Sequence, residues 1–299
     1  MRVWYSDPFE VPLPEGHRFP MGKYRRVREL LLERGVLNEG QLELSQPIER
    51  EPLLRVHTDG YVRACFDGSL DEAALRRVGF PWSNELLQRS LASAGGTLSA
   101  ARWALEHGVA GNLAGGTHHA HADFGSGYCV FNDLAVASAT LLDERLVERV
   151  LIVDLDVHQG DGTAAIFKNE SRVFTFSMHG AKNFPFRKQV STRDVELPDG
   201  CDDAHYLSLL DEHLPEVFES SAPSLVLYQA GVDALREDTL GRLHLSHAGL
   251  RERDRRVFDL CWSRAVPIVV TLGGGYAKPI EASVEASVGT YVELRRRYG

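Results

Sequence analysis

The stretch VLIVDLDVHQGDG, residues 150–162, decides the fold. Its first four residues are apolar on consecutive positions, without the alternation of a strand that shows one face to water. Such a run is expected of a strand in a parallel sheet, buried on both faces. The same stretch then turns into Asp154, Asp156, His158 and Asp161, with glycines at 160 and 162. Ligands of open α/β sheets bind outside the carboxyl ends of the strands, so the run also says where chemistry should be sought.

Working outward, comparable short runs lie at Arg2–Tyr5, Val173–Ser177, Leu225–Gln229 and Ile268–Leu272, beside Val150–Asp156 itself. Segments with helical spacing lie between them. Leu86, Leu87, Leu91, Leu98, Ala101 and Leu105 form one stripe, weakened locally by Gly95 and Gly96. Leu134, Ala135, Ala139, Leu142 and Leu146 form a second. Ser246 reads as the N-cap of a third helix with Leu250, Val257, Phe258, Cys261 and Trp262 facing inward, and its RERDRR segment (251–256) reads as a solvated face. Strands alternating with helices imply an α/β fold with a central, mostly parallel sheet covered on both sides. No repeat, low-complexity tract or Gly/Ser linker divides the chain, so one domain over 1–299 is expected.

The composition fits that class. Of 299 residues, 43% are apolar and 25% charged, which excludes a disordered or collagen-like chain and a disulfide scaffold. Lys plus Arg is 33 against Asp plus Glu at 42, a net charge of −9 with His neutral. A chain this acidic has no general attraction for nucleic acid or an anionic membrane. No 18-residue apolar run and no signal-type N-terminus occurs. Cys65, Cys129, Cys201 and Cys261 are scattered and form no C-x-x-C pair, which suits a reducing, cytoplasmic compartment.

Each late strand runs into polar groups or glycine: Ala230-Gly231-Val232-Asp233 after the fourth, Gly273-Gly274-Gly275-Tyr276 after the fifth. An earlier segment, Asn112 to Thr117, ends in His118-His119. Asp156 and His158 are two apart and point to one side of extended backbone. With Asp233 they could hold one metal ion and leave a position open, as catalytic zinc sites do. The hard, anionic set also admits Fe(II), Mn(II) or Co(II). Taken alone, D-x-H could equally be a hydrogen-bonded structural cluster. A structural reading of the whole set, however, needs several unrelated buried charges, each costly when unpaired.

The blocks GGTHHA (115–120), GSGYCVFND (125–133), VDLDVHQGDGT (153–163), AGVDAL (230–235) and LGGGY (272–276) resemble, in order, those of the zinc-dependent histone deacetylase superfamily, with its acetoin-utilisation proteins and acetylpolyamine amidohydrolases. HRFPMGKY (17–24) is similar to that family's N-terminal region, and the flavour is nearest to class IV and bacterial members. The resemblance implies an arginase/deacetylase-like domain. It makes Asp156, His158 and Asp233 the metal ligands. His118 and His119 become the tandem histidines, backed by Asp154 and Asp161, and Tyr276 the donor to the substrate carbonyl. Gly127, Tyr128, Phe184, Leu240 and Gly274 would line an acyl tunnel. A monovalent cation, usually K+, is implied near Asp154, Asp156, His158, Ser177 and Met178, mostly through main-chain carbonyls. Two departures stand out. Gly79–Asn84 lacks the acidic rim residue of members that act on peptides, and Tyr276 is followed by Ala-Lys-Pro.

The expected activity is metal-dependent hydrolysis of an acyl amide in acyl-lysine, protein-borne or not, or in a small acylated amine. His119 is read as general acid/base, His118 as its electrostatic partner and Tyr276 as oxyanion donor. Alternatives are a two-metal ureohydrolase of arginase type, an inactive acyl-lysine-binding scaffold, and a regulator of an acyl-CoA-forming enzyme. Acyl length and oligomeric state stay open. His17, His57, His107, His121, His179, His205, His213, His244 and His247 are read as surface or satisfied core positions, His179 bordering the site. Cys129 is read as packing and not as a nucleophile.

Overall fold

In a computed structural model, which describes residues 1–299, eight strands form one sheet. They are β1 (Arg2–Tyr5), β2 (Leu42–Leu44), β3 (Val109–Asn112), β4 (Val150–Asp154), β5 (Val173–Gly180), β6 (Arg193–Leu197), β7 (Leu225–Gln229) and β8 (Ile268–Thr271). Their order is β2-β1-β3-β8-β7-β4-β5-β6, and every pairing is parallel. The expected sheet, mostly parallel, is therefore wholly so.

The helices are α1 (Lys23–Glu33), α2 (Arg50–Leu53), α3 (Asp59–Asp67), α4 (Glu72–Val78), α5 (Asn84–His107), α6 (Asp133–Asp143), α7 (Asp161–Ile166), α8 (Asp203–Ser221), α9 (His247–Ser263) and α10 (Glu281–Tyr298). The unbroken apolar run of β4 has its predicted meaning. Leu151 and Val153 join a core shared with α1, α8, α9 and α10, while Val150 and Ile152 join the opposite core with α5 and α6. Period-two side chains thus feed two layers from one strand.

Four expectations need correction. The β4 strand stops at Asp154, two residues early, because Asp156 and His158 already belong to the ligand loop. Trp262 is 54% exposed and packs edge-on to Tyr298, since it lies past the Phe258–Cys261 stripe. Leu146 is also exposed, beyond the end of α6. Within RERDRR, Arg253 and Asp254 are fully buried and paired at 2.8 Å. The two glycines of α5 do not break it: a Cβ there would strike the Gln46 carbonyl or the Ser45 hydroxyl, so their bareness admits that segment. Ser246 caps α9, accepting from the Gly249 N–H.

Candidate functional site

Sheet neighbours β3, β8, β7 and β4 deliver their carboxyl-terminal loops to one place. Asp156 and His158 follow β4, Asp233 follows β7, the Gly273–Tyr276 turn follows β8, and His118-His119 close the loop after β3. Ligand-type atoms of Asp156, His158 and Asp233 lie within 4.8 Å of one another, and all three residues are buried.

The main chain holds these carboxylates in place. Asp156 Oδ1 accepts from the His158 N–H at 3.0 Å, and Oδ2 from the Gly274 N–H at 2.9 Å and Gln229 Nε2 at 3.0 Å. Asp233 Oδ1 accepts from the Val157 N–H at 2.9 Å. Its Oδ2 is buried without a hydrogen-bond donor, 3.2 Å from His158 Nδ1. A Cβ at Gly231 would fall on Asp156 Oδ2, and one at Gly274 on Asp233 Oδ2, so the glycines leave room around these oxygens. An orphaned carboxylate oxygen, a second carboxylate and an imidazole facing a bare cradle fit a divalent cation. Burial, then the Asp156 charge, pushes Asp233 up to about 7. Burial opposes the charge on His158 but both carboxylates outweigh it, raising the imidazole to about 10. A cation would replace that proton.

His118 Nδ1 lies 2.6 Å from Asp154 Oδ2, and His119 Nδ1 2.6 Å from Asp161 Oδ1. The two rings are 4.1 Å apart, and His119 is 5.8 Å from the His158 ring. Their surroundings separate them. Burial disfavours a charged His118, but Asp154 and Asp156 overcome it and raise it to about 9. Burial and the neighbouring His118 push His119 down to about 4, against the pull of Asp161. Their surroundings thus bias the two imidazoles in opposite directions, His118 toward the cation and His119 toward the free base. The loop carrying them is anchored by Asp133, which accepts from the Gly116 and Thr117 N–H groups at 3.1 and 2.8 Å.

A cavity of about 610 Å3 opens over this cluster. Gly127, Tyr128, Phe184, Leu240, Gly274 and Tyr276 all line it, as do Phe19, Met21 and Tyr24 of the N-terminal segment. Phe184 stands edge-on to His119 at 4.9 Å, and Tyr128 lies 5.9 Å from the Tyr276 ring. Burial holds the Tyr276 phenol well above its ordinary range, so it remains a donor. Of the five residues expected around a monovalent cation, Asp154 ends β4 and Asp156 and His158 follow it, while Ser177 and Met178 lie inside β5, where Ser177 is the register partner of Asp154. Ser177 Oγ there meets His179 Nδ1 at 2.9 Å.

Three contributors escaped the sequence reading. Gln229 braces Asp156 and the Gly116 carbonyl, and a polar residue closing an apolar strand was its signal. His121 is buried and hydrogen-bonded, as a satisfied core histidine is, but its Nε2 lies 3.0 Å from Asp161 Oδ2, which ties it to the site. Arg253 donates to the carbonyls of Leu155, Ala230 and Gly231, clamping the loops that bear the metal-type ligands. Burial drives the Cys129 thiol well above its usual range, which leaves no thiolate for nucleophilic attack. All four cysteines are free and buried, and no helix is long and apolar enough to cross a membrane.

Comparison with known proteins agrees with the geometry. Residues 17–291 match the family model described as the histone deacetylase domain. The chain is 49% identical over 278 residues to an uncharacterized protein of Picosynechococcus sp., covering 93% of each. It is 32% identical over 291 residues to histone deacetylase 2 of Arabidopsis thaliana, covering 92% of this chain and 74% of that one. The crystal structure of an HDAC homolog from Aquifex aeolicus superposes with a TM-score of 0.85 at 26% identity, covering 99% of this chain and 84% of that one. With fold, loop cluster and family model in agreement along nearly the whole chain, it belongs to the histone deacetylase family.

Proposed function

We propose that the chain is a metal-dependent deacylase that hydrolyses the amide of an acylated, foremost acetylated, lysine or related amine to a carboxylate and a free amine. One observation carries this reading. Three metal-type donors, one of them an unpartnered buried carboxylate oxygen, share a cavity with two oppositely tuned His–Asp pairs. Family membership supports the hydrolase class. Metal identity, with zinc first, and the substrate are our assignment.

A divalent ion held by Asp156, His158 and Asp233 would supply Lewis acidity toward the amide carbonyl and a water molecule. His119, neutral and held through Nδ1 by Asp161, keeps Nε2 free to take a proton from water and pass it to the leaving nitrogen. His118, charged and held by Asp154, places positive charge beside the developing negative charge. Tyr276 donates a hydrogen bond from its hydroxyl to the oxyanion. Phe184, Tyr128 and Phe19 narrow the approach and exclude bulk water. A K+ ion, where bound, would rest on oxygens of Asp154, Asp156, His158, Ser177 and Met178. The arginase-type reading is weaker because the carboxylates that might bridge a second metal, Asp154 and Asp161, are taken by His118 and His119.

The test follows acetate and free amine released from a neutral acetyl-lysine peptide by the zinc-loaded chain. His119→Ala should lose more than about 10²-fold in turnover, and His118→Ala less. A reversed ranking at unchanged metal content overturns these roles. Urea release from a guanidino substrate with an inert peptide overturns the deacylase reading.

A further inference from the structure

Apart from the metal-type ligands, His118 and the buried Arg89, the charged side chains lining the cavity are Arg76, Arg77, Lys182 and Arg242. All four are exposed, so they mark its mouth. No carboxylate lines that mouth. Asp238, on the loop that carries Leu240, turns inward and accepts from the N–H groups of Leu240, Gly241 and Tyr276 at 2.8, 2.9 and 2.6 Å.

The four cations are incompletely neutralised. Arg76 pairs with Glu72 at 3.2 Å, and Lys182 and Arg242 share Asp199 at 3.6 and 3.2 Å. Arg77 has no carboxylate partner, and its guanidinium lies 4.7 Å above the Phe124 ring. Four positive charges thus face two negative ones, in a chain whose net charge is −9. Exposed ion pairs of this kind exchange readily for a competing carboxylate. An aromatic-walled opening also focuses the field of its rim.

We propose that this cationic mouth selects acyl amines flanked by negative charge and discriminates against polycations such as acylated polyamines. The inference rests on the deacylase reading and names the substrate class for that site. The acylated nitrogen enters past Phe184 and Tyr128, and anionic groups near it stay outside, against Arg77, Lys182 and Arg242. The charge could come from Asp or Glu side chains of an acidic peptide or from the carboxylate of a free acylated amino acid. Both present a carboxylate to the rim, the free amino acid with its own ammonium beside it.

The zinc-loaded chain is assayed with acetyl-lysine peptides flanked by Asp, Ser or Lys, with free Nε-acetyl-lysine and with an acetylated polyamine. kcat/KM should fall about tenfold or more from acidic to basic flanks, mostly through KM, and the spread should shrink between low and high salt. Free Nε-acetyl-lysine performing as well as the acidic peptide would assign the small molecule as source, and the reverse would assign the peptide. Arg77→Glu with Lys182→Glu should invert the order, and Arg77→Gln with Lys182→Gln should flatten it. Acidic and basic peptides within twofold of each other, or a polyamine preferred over both, overturn the inference even if the neutral peptide is hydrolysed. If no peptide is hydrolysed the deacylase reading fails instead, and fluorescence anisotropy of the same peptides still reads the order of binding.

Discussion

His121 and His119 share one carboxylate: Asp161 Oδ1 lies 2.6 Å from His119 Nδ1 and Oδ2 lies 3.0 Å from His121 Nε2. Burial opposes the negative charge of Asp161, and hydrogen bonds from the two imidazoles hold its carboxyl far below the usual range. A donor on the second oxygen draws charge away from the first and leaves His119 less basic. His121→Phe should return that charge to His119 and raise its pKa. The acid limb of kcat/KM then moves to higher pH, by up to about one unit. His121→Gln, which keeps an N–H donor, should restore much of the original profile. A limb that stays in place in His121→Phe would make His121 a packing residue only.

Tyr276 separates an enzyme from a binding scaffold. Tyr276→Phe keeps the ring against Tyr128 and Phe19 and removes only the donor. Turnover should fall about 10²–10³-fold. Affinity for an acylated ligand should change far less, because the donor acts mainly on charge that grows in the transition state. Turnover, ligand affinity and metal content measured together decide this. Turnover near wild type removes the hydroxyl from the chemistry.

Acid should weaken the fold between about pH 6.5 and 4. Burial lowers His57, His119 and His179 from 6.5 to about 4. The unfolded chain therefore binds their protons first, and stability present above 6.5 is lost as pH falls toward 4. Asp233, raised to about 7, is protonated first in the folded chain and offsets one of the three histidines over the same window. The slope is about 1.4 kcal/mol per pH unit for each histidine taking up a proton only on unfolding. His57 shows the cause: its Nδ1–H donates to the His121 carbonyl at 2.9 Å, so Nε2 must stay bare to accept from the Asn132 N–H at 3.0 Å. Urea unfolding of the metal-free chain across this range should show the loss, and His57→Gln should make the curve shallower. A flat profile contradicts the assignment.

Arg253 joins stability to the site. Its partner Asp254 also accepts from the hydroxyls of Tyr228 and Thr290. Removing the guanidinium leaves a buried charge uncompensated, which costs about 3–5 kcal/mol. Arg253→Met should show that loss in denaturant unfolding and should weaken divalent-metal binding, because the carbonyls of Leu155, Ala230 and Gly231 are released. Unchanged metal affinity in a destabilised variant would confine Arg253 to the core.

The sequence made the central strands and the catalytic loops legible for one physical reason. The runs of β4, β7 and β8 are almost wholly apolar until their last residues, so Asp154, Asp233 and Tyr276 stood out at or just beyond their ends. Elements at the periphery left weaker traces. β2 is three residues long, and edge strand β6 (RDVEL) mixes charges with its two buried positions, Val195 and Leu197. β3, VAGN, is central yet was missed: its Gly111 abuts the Tyr291 ring, so the partner supplies the bulk that its own sequence lacks. Arg253 was hidden inside a run of charges, although it falls three residues after Leu250 and four before Val257, on the buried stripe. His121 was hidden because H-x-H on a loop has no fixed period. Only the fold shows that both rings reach one aspartate.

The most direct test is metal stoichiometry measured together with acetate release. The purified chain should carry about one divalent ion, lose both ion and hydrolysis of a neutral acetyl-lysine peptide on chelation, and regain both when zinc is returned. Asp233→Ala should bind zinc weakly and release no acetate while His118, His119 and Tyr276 remain intact. Acetate release that survives complete chelation, or that persists in Asp233→Ala, would contradict the assignment, as would two tightly bound ions lost together with activity.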